Sequence, residues 1–460
     1  MSTTPRSSTE DIDRKNVFHP FTALHQHERF GGRMIVQGKD STLRDVQGNR
    51  YLDAMAGLWC VNVGYGRTEI AEAVTAQIER LSYYHGFSSM ATDTPALLAE
   101  RVLARSPVPM SKVFFGNSGS DANDTQAKLI WFYNNALGRP AKKKLIARER
   151  GYHGVTVLSA GLTGLANLHD GFDLPLPMIR HTRAPHRLWE AREGMSDAEF
   201  VKLLSDDLEA LILREGPETV AAFFAEPIQA AGGVIVPPEG YFPAIQEVLR
   251  RYDVLLVADE VVCGFGRLGR WFGCEALQIE PDLITVAKGI TSAYYPLSAC
   301  LVSERIWSVL AEGSKAGVFG HGYTYSAHPV AAAAGLANLE LLESERLVER
   351  ASERGMQLQA RLHETFDDLP IVGEVRGYGL LGAVELVESR SPLRPFERSR
   401  GVGARVAARC LELGLITRAL PASDTIAFSP PFVVSEDELD EMVRLARGAV
   451  DEVAAELGRE

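Results

Sequence analysis

The chain has 460 residues, 46% of them hydrophobic and 23% charged, an ordinary globular composition that excludes collagen-like, disordered and coiled-coil classes. Its 48 basic and 60 acidic side chains leave a net charge of −12, which repels polyanions and argues against a nucleic-acid partner. No apolar stretch approaches the ~20 residues of a membrane span, and the opening MSTTPRSSTEDIDRKN has no apolar signal core, so the expectation is an unexported, cytoplasmic chain. The five cysteines, Cys60, Cys263, Cys274, Cys300 and Cys410, are widely spaced and include no C-x-x-C pair. A disulfide framework or structural zinc site is therefore not expected, and a reducing compartment is.

Residues 1–30 read as a polar arm carrying Phe18, Phe21 and Phe30. Alternation from 34 to 56, with Gly38 and Gly48 as turns, predicts a small antiparallel sheet. Ile70, Val74, Ile78 and Leu81 predict a helix starting near Thr68, and Thr94-Pro95 predicts another, with threonine capping and proline in the first turn. From about residue 110 short apolar runs (112–115, 145–147, 220–225, 254–258, 283–287, 297–302) alternate with helical segments, including 122–137 and 241–251. Such runs predict a largely parallel sheet covered on both faces. Beyond 326 come a long helical stretch, strands near 380–386 and 426–428, and a closing helix opened by the capping box Ser435-Glu-Asp-Glu438. The expected architecture is one large α/β domain plus a smaller α+β domain built from both chain ends, with boundaries at 1–70, 71–325 and 326–460.

Several motifs fail on context. Gly264-Phe-Gly-Arg-Leu-Gly269 matches a dinucleotide fingerprint, but its acids precede the glycines and no helix start follows. LLVADE resembles the acidic strand of P-loop ATPases, yet no G-x-x-x-x-G-K-[ST] exists in the chain. Gly116-Asn-Ser-Gly-Ser120 lacks the last glycine of a hydrolase elbow. His25-x-His27 could ligate a metal, but no third ligand stands out, so no metal is expected.

Four features make sense together. The strand KVFF runs into Gly116-Asn117-Ser118-Gly119-Ser120 and then a helix, a phosphate cradle that needs no lysine. Asp259 ends the run VLLVAD, where a buried anion could face a cationic ring nitrogen. Lys288 ends DLITVAK 29 residues later; it is one of ten lysines against 38 arginines and the only one between Lys202 and Lys315. A lysine set in apolar sequence suits Schiff-base chemistry better than solubility. Tyr152-His153-Gly154 follows the strand KLIA and offers an aromatic face. Cradle, acid, platform and isolated lysine together match the needs of pyridoxal 5′-phosphate.

These segments (GNSGSDANDT, RGYHGVT, AEPIQAAGGVIVPP, LLVADEVVCGFGRLG, DLITVAKG and GYTYSAHP) resemble the class III aminotransferases, fold-type-I pyridoxal-phosphate enzymes with a mostly parallel seven-stranded sheet. The resemblance runs in order from the Trp59 region to about residue 440. It implies a homodimer, possibly a tetramer, with active sites at the interface. Lys288 would bond the cofactor covalently and Asp259 would meet its pyridinium nitrogen. Tyr152 and Val261 would contact the ring faces, and Glu226 and Ser118 would join the cofactor site. Gly119 and Ser120 would hold the phosphate, and Thr324 would reach it from the other subunit. Members using 2-oxoglutarate usually carry glutamine where this chain has Val262, and tend to phenylalanine where it has Tyr152. Both features, with Gly57-Leu58-Trp59-Cys60, resemble the ω-amine:pyruvate branch. In that branch Trp59, Phe87 and Tyr152 would line an apolar pocket and Arg418 would bind the acceptor carboxylate. The segment ALPASDT after Arg418 looks longer than usual there, and SGSDA replaces the usual SGSEA. The expected activity is amino transfer from an ω-amine to pyruvate. A 2-oxoglutarate-using relative, a decarboxylase or aminomutase on the same scaffold, and a cofactor-free binding protein are the alternatives.

Overall fold

The computed structural model describes residues 8–313 and 317–459. Seven strands make one sheet in the order Lys112–Gly116, Ser298–Val302, Leu283–Val286, Leu255–Asp259, Val220–Ala225, Lys144–Arg148 and Ile179–Thr182. Ser298–Val302 runs antiparallel to both of its neighbours, and the other pairings are parallel. The continuous apolar runs are explained by burial on both faces. Phe223, Leu256, Ala258, Ile284 and Val286 enter one core, while Ala222, Phe224, Leu255, Val257 and Leu283 enter the other, as the two-residue side-chain period of a strand requires. Helices Asp197–Glu215, Tyr241–Arg251 and Pro329–Ser344 contribute to the first core, and Gly119–Ala136 and Glu304–Gly313 to the second.

Two smaller sheets use the chain ends. Ile35–Lys39, Thr42–Asp45 and Arg50–Asp53 form the expected antiparallel meander. Leu415–Ile416 adds to it in parallel, pairing with Leu52 and Asp53, so residues 363 positions apart share one ladder. The second sheet runs Val372–Tyr378, Leu381–Leu386, Thr425–Phe428, Arg418–Ala419, all antiparallel. The capping box on Ser435 opens helix Glu436–Leu457 as expected, and Gly264–Gly269 forms a loop without a helix.

Some expectations change. The polar arm contains two short helices, Thr9–Asn16 and Leu24–Phe30; residues 1–7 lie outside the described residues. The helix expected after Thr94-Pro95 begins at Asp93, and Thr94 is no cap: its hydroxyl donates to Gln77 Oε1 at 2.8 Å. On Thr68–Arg80 the apolar spacing holds for Ile70, which is buried, whereas Ile78 and Leu81 are exposed. Strand Ile179–Thr182 gives little apolar signal because it is the sheet edge, half polar and partly buried. Val372–Tyr378 escapes notice because its glycines break the alternation.

Candidate active site

Parallel strands deliver their carboxyl ends to one side of a sheet, where crevices form. Here Gly116, Arg148, Ala225, Asp259 and Val286 all end strands at that side, and the segments that follow them surround a cavity of about 130 Å³. Gly119, Ser120, Tyr152 and Glu226 line it, as do Asp259, Val261 and Lys288. Seven of the expected site residues therefore meet at one place, from five separate stretches of chain.

The cradle is built by a capping box. Ser118 Oγ accepts from Asp121 N at 3.2 Å, and the Asp121 carboxylate accepts from Ser118 N at 3.1 Å and Asn117 N at 2.9 Å. Ser298 adds a hydroxyl donor at 2.9 Å, which shows why aspartate serves in SGSDA. Ser118 thus acts as the helix cap and does not line the cavity. The first-turn N–H groups of Gly119 and Ser120 have no carbonyl partner within the helix and are available to an anion. A Cβ at Gly119 would lie 3.0 Å from Val261 Cγ2, and one at Gly154, whose φ is +131°, would lie 2.5 Å from Ser120 Oγ. Both glycines keep the cradle open.

Asp259 is 3% exposed and accepts three hydrogen bonds, leaving acceptor capacity over. Its Oδ2 accepts from Asn123 Nδ2 and from His153 Nδ1, each at 2.8 Å, and its Oδ1 accepts from Val261 N at 3.1 Å. Asn123 also donates to the His153 carbonyl at 2.7 Å. His153 and Asn123 were not singled out from the sequence. Their only signal is proximity to recognised motifs, His153 beside Tyr152 and Asn123 on the helix opened by the cradle.

Glu226 accepts from Tyr152 N at 2.9 Å and from Ala230 N at 3.1 Å. Burial pushes its carboxyl up to about 7 despite the opposing pull of His153. Arg148 donates to the Glu226 carbonyl, so the loop that presents Tyr152 is tied to the neighbouring strand. Lys288 lies two residues beyond its strand with a left-handed φ of +43°, a conformation that costs of order 1–3 kcal/mol in a residue other than glycine and clusters at functional sites. Its ammonium makes no hydrogen bond or ion pair with a described residue.

Beside Tyr152 lie Trp59 and Arg418. The Arg418 guanidinium sits 5.3 Å over the Trp59 ring; burial lowers its affinity for protons and Tyr152 is its one electrostatic neighbour. No carboxylate among the described residues pairs with it. Val262 lines the cavity and belongs to the same apolar cluster as Trp59 and Tyr152. Phe87 and Thr324 are not brought in. Phe87 is 46% exposed, with its ring against Gly322. Thr324 is exposed, its carbonyl accepting from Tyr83 Oη at 2.5 Å. These two share a surface outside the cavity of their own chain.

An anion cradle at a helix N-terminus, a buried acid with three donors, and an unpartnered lysine at a neighbouring strand end fit pyridoxal 5′-phosphate. The glycine contacts leave room where a phosphate would sit. Fold and cavity together define a fold-type-I pyridoxal-phosphate enzyme. The family model "Aminotransferase class-III" matches residues 24–449, and the chain belongs to that family. It is 49% identical over 456 residues to a diaminobutyrate–2-oxoglutarate transaminase of Halomonas elongata, covering 98% of this chain and 97% of the relative. It is 46% identical to the mitochondrial gamma aminobutyrate transaminase 1 of Solanum lycopersicum over 95% of this chain and 85% of that one. The crystal structure of an omega transaminase from Pseudomonas jessenii in complex with PMP superposes with a TM-score of 0.96 at 45% identity, covering 98% and 99% of the two chains. No described helix is long and apolar enough to cross a membrane.

Proposed function

We propose that this aminotransferase moves an amino group from an ω-amine (a diamine, a β-amino acid or an aryl-alkyl amine) to pyruvate, giving an aldehyde or ketone and alanine. Arg418 carries this reading. It is a half-buried guanidinium stacked on Trp59, beside Tyr152, and no carboxylate among the described residues pairs with it. An incoming carboxylate supplies that anion in the fork geometry that suits arginine. Val262, Trp59 and Tyr152 offer the apolar wall that a carboxylate-free amine needs.

When bound, the cofactor supplies an electron sink for the electrons left when the substrate C–H bond breaks. The chain supplies the rest. The Gly119 and Ser120 N–H groups anchor the phosphate, and Asp259 holds a proton at the ring nitrogen as an ion pair. His153 and Asn123 fix that carboxylate in orientation. Lys288 Nζ, at the cavity wall, would take the proton from the substrate carbon as a general base and give it up again as a general acid. Phe87 and Thr324, exposed together on one surface, would complete the cavity of a second copy in a homodimer.

A second reading, 2-oxoglutarate as acceptor, has the name of the Halomonas relative in its favour. Putrescine, β-alanine, taurine and 1-phenylethylamine, each offered with pyruvate and with 2-oxoglutarate, separate the two. Alanine in excess of glutamate with any donor supports the proposal, and glutamate with negligible alanine overturns it.

A further inference from the structure

Helix Thr9–Asn16 buries no side chain, yet it packs against helix Leu24–Phe30. Apolar burial does not hold it there: Phe18, Phe21 and Phe30 are 81%, 64% and 71% exposed. The contact is polar and centred on Asp13, His19 and His27. His19 Nε2 lies 2.9 Å from Asp13 Oδ2, and His27 Nε2 lies 3.8 Å from the same oxygen. The two imidazole centroids are 4.2 Å apart, and all three ligand atoms fall within 4.8 Å of one another. The His19–Asp13 pair is an ordinary hydrogen bond. His27 is different: its side chain is 8% exposed and its buried Nε2 has no hydrogen-bond partner among the described residues. A buried polar nitrogen left unpaired is costly.

We infer that Asp13, His19 and His27 form a binding site for a divalent transition-metal ion of the zinc class. In a tetrahedron with metal–ligand bonds of about 2.0 Å, neighbouring ligand atoms are about 3.3 Å apart. The observed 2.9 Å and 3.8 Å straddle that edge, and the third separation is within 4.8 Å, so modest side-chain shifts seat an ion between the three groups. Two imidazoles and one carboxylate suit zinc, nickel or copper and not magnesium or calcium, which prefer all-oxygen shells. The ion gives His27 Nε2 its missing partner. Because Asp13 and His19 are 23% and 32% exposed, water can take the fourth position. The site joins the two N-terminal helices where apolar packing does not.

From the sequence, His25-x-His27 lacks a third ligand and no metal is expected; the inferred site uses His27 without His25. Residues two apart on a helix project about 200° apart, so His25 and His27 cannot share an ion. His25 is exposed, and the third ligand comes from the preceding helix. His25 is therefore an internal control. Holoenzyme stripped with EDTA and desalted is titrated with zinc ion alone by calorimetry, and its thermal midpoint is recorded with and without zinc. One site per chain and a raised midpoint are expected. His27→Ala and His19→Ala should each weaken binding by about 100-fold or more, since even outer-shell losses cost 10–100-fold, while His25→Ala leaves it unchanged. His19, partly exposed, keeps the test valid should His27→Ala fail to fold. No saturable zinc binding, or equal affinity in the parent and His19→Ala, overturns the inference.

Discussion

Arg418→Ala should separate the two half-reactions. In the free protein the guanidinium is held over Trp59 at 5.3 Å without an acid, and burial disfavours its charge. Removing it leaves no buried counter-charge stranded, so the fold should tolerate the change. The acceptor carboxylate loses a charge-assisted partner, a contact of about 1.5–3 kcal/mol, or about 10- to 150-fold in affinity. The stacking on Trp59 is lost for both substrates, so its ~0.5–1 kcal/mol shifts them alike. The net expectation is a keto-acid half-reaction weakened about 10- to 150-fold more in kcat/KM than that of 1-phenylethylamine, which itself loses less than about 5-fold. Arg418→Lys should recover part of the acceptor binding, because the charge survives but the planar fork does not. Stopped-flow measurement of each half-reaction reads both numbers independently. Equal losses for amine and keto acid, or none for either, would show that another group binds the carboxylate.

Other expectations follow from the same geometry. Lys288→Ala should abolish transamination in a chain that still folds and still binds phosphate-bearing cofactor; after borohydride reduction of the parent, peptide mapping should find the label on Lys288, and a label on any other lysine refutes the assignment. Asp259→Asn should retain cofactor but lose about 100-fold or more in kcat, the scale of proton management in such steps; turnover near the parent rate would remove Asp259 from the ring-nitrogen role. Glu260 gives a test in pH. Its buried carboxyl, which accepts from Gly273 N at 2.9 Å and Cys274 N at 2.7 Å, is pushed by burial up to about 7. The folded state therefore holds a proton that the unfolded chain has released, so this contribution is full below about 4.5 and lost as pH rises through 7. His181, which burial pushes down to about 4, slopes the opposite way, so the comparison must be between parent and variant. Glu260→Gln should flatten the decline in thermal midpoint between pH 5 and 8, and an unchanged slope refutes the assignment.

What the sequence made legible follows burial and isolation. Strands buried on both faces write continuous apolar runs, and Val220–Ala225 and Leu255–Asp259 stand where those runs lie. Lys288 was visible because a lone lysine set in apolar sequence is poorly placed for solubility, and Asp259 because it puts a carboxylate at the mouth of a buried strand. His153 and Asn123 were not, since a polar residue acquires its meaning from a partner more than 100 positions away. Helix Thr9–Asn16 has no buried side chain and so lacks an apolar period. The pairing of His27 with His19 and Asp13 depends on two helices whose presence the polar arm did not signal. Phe87 and Thr324 do not line the cavity of their own chain and are exposed in it, and the resemblance places Thr324 in the other subunit's site, which one chain does not contain.

The groups that do chemistry and the groups that choose substrate stand on different supports. Asp259 ends a strand of the seven-stranded sheet, Glu226 follows one directly and Lys288 lies two residues beyond another, and the side chains of that sheet fill both cores. Asp259 is held by three donors and Glu226 accepts from two backbone amides. Catalytic geometry of this kind tolerates displacement poorly, and a two-sided packed sheet resists it. Arg418 instead occupies a two-residue strand at the edge of a smaller sheet. The segment after it, Leu420-Pro421-Ala422-Ser423, returns to the sheet through Thr425. In the site it stands over the Trp59 ring and interacts electrostatically with Tyr152. A site that must bind a carboxylate in one half-reaction and an apolar amine in the other gains from this division. The rigid sheet keeps the proton transfers in register for both substrates. On the proposed reading the guanidinium, paired with no carboxylate among the described residues, pairs with the keto acid without first breaking a salt bridge and leaves the apolar wall to the amine.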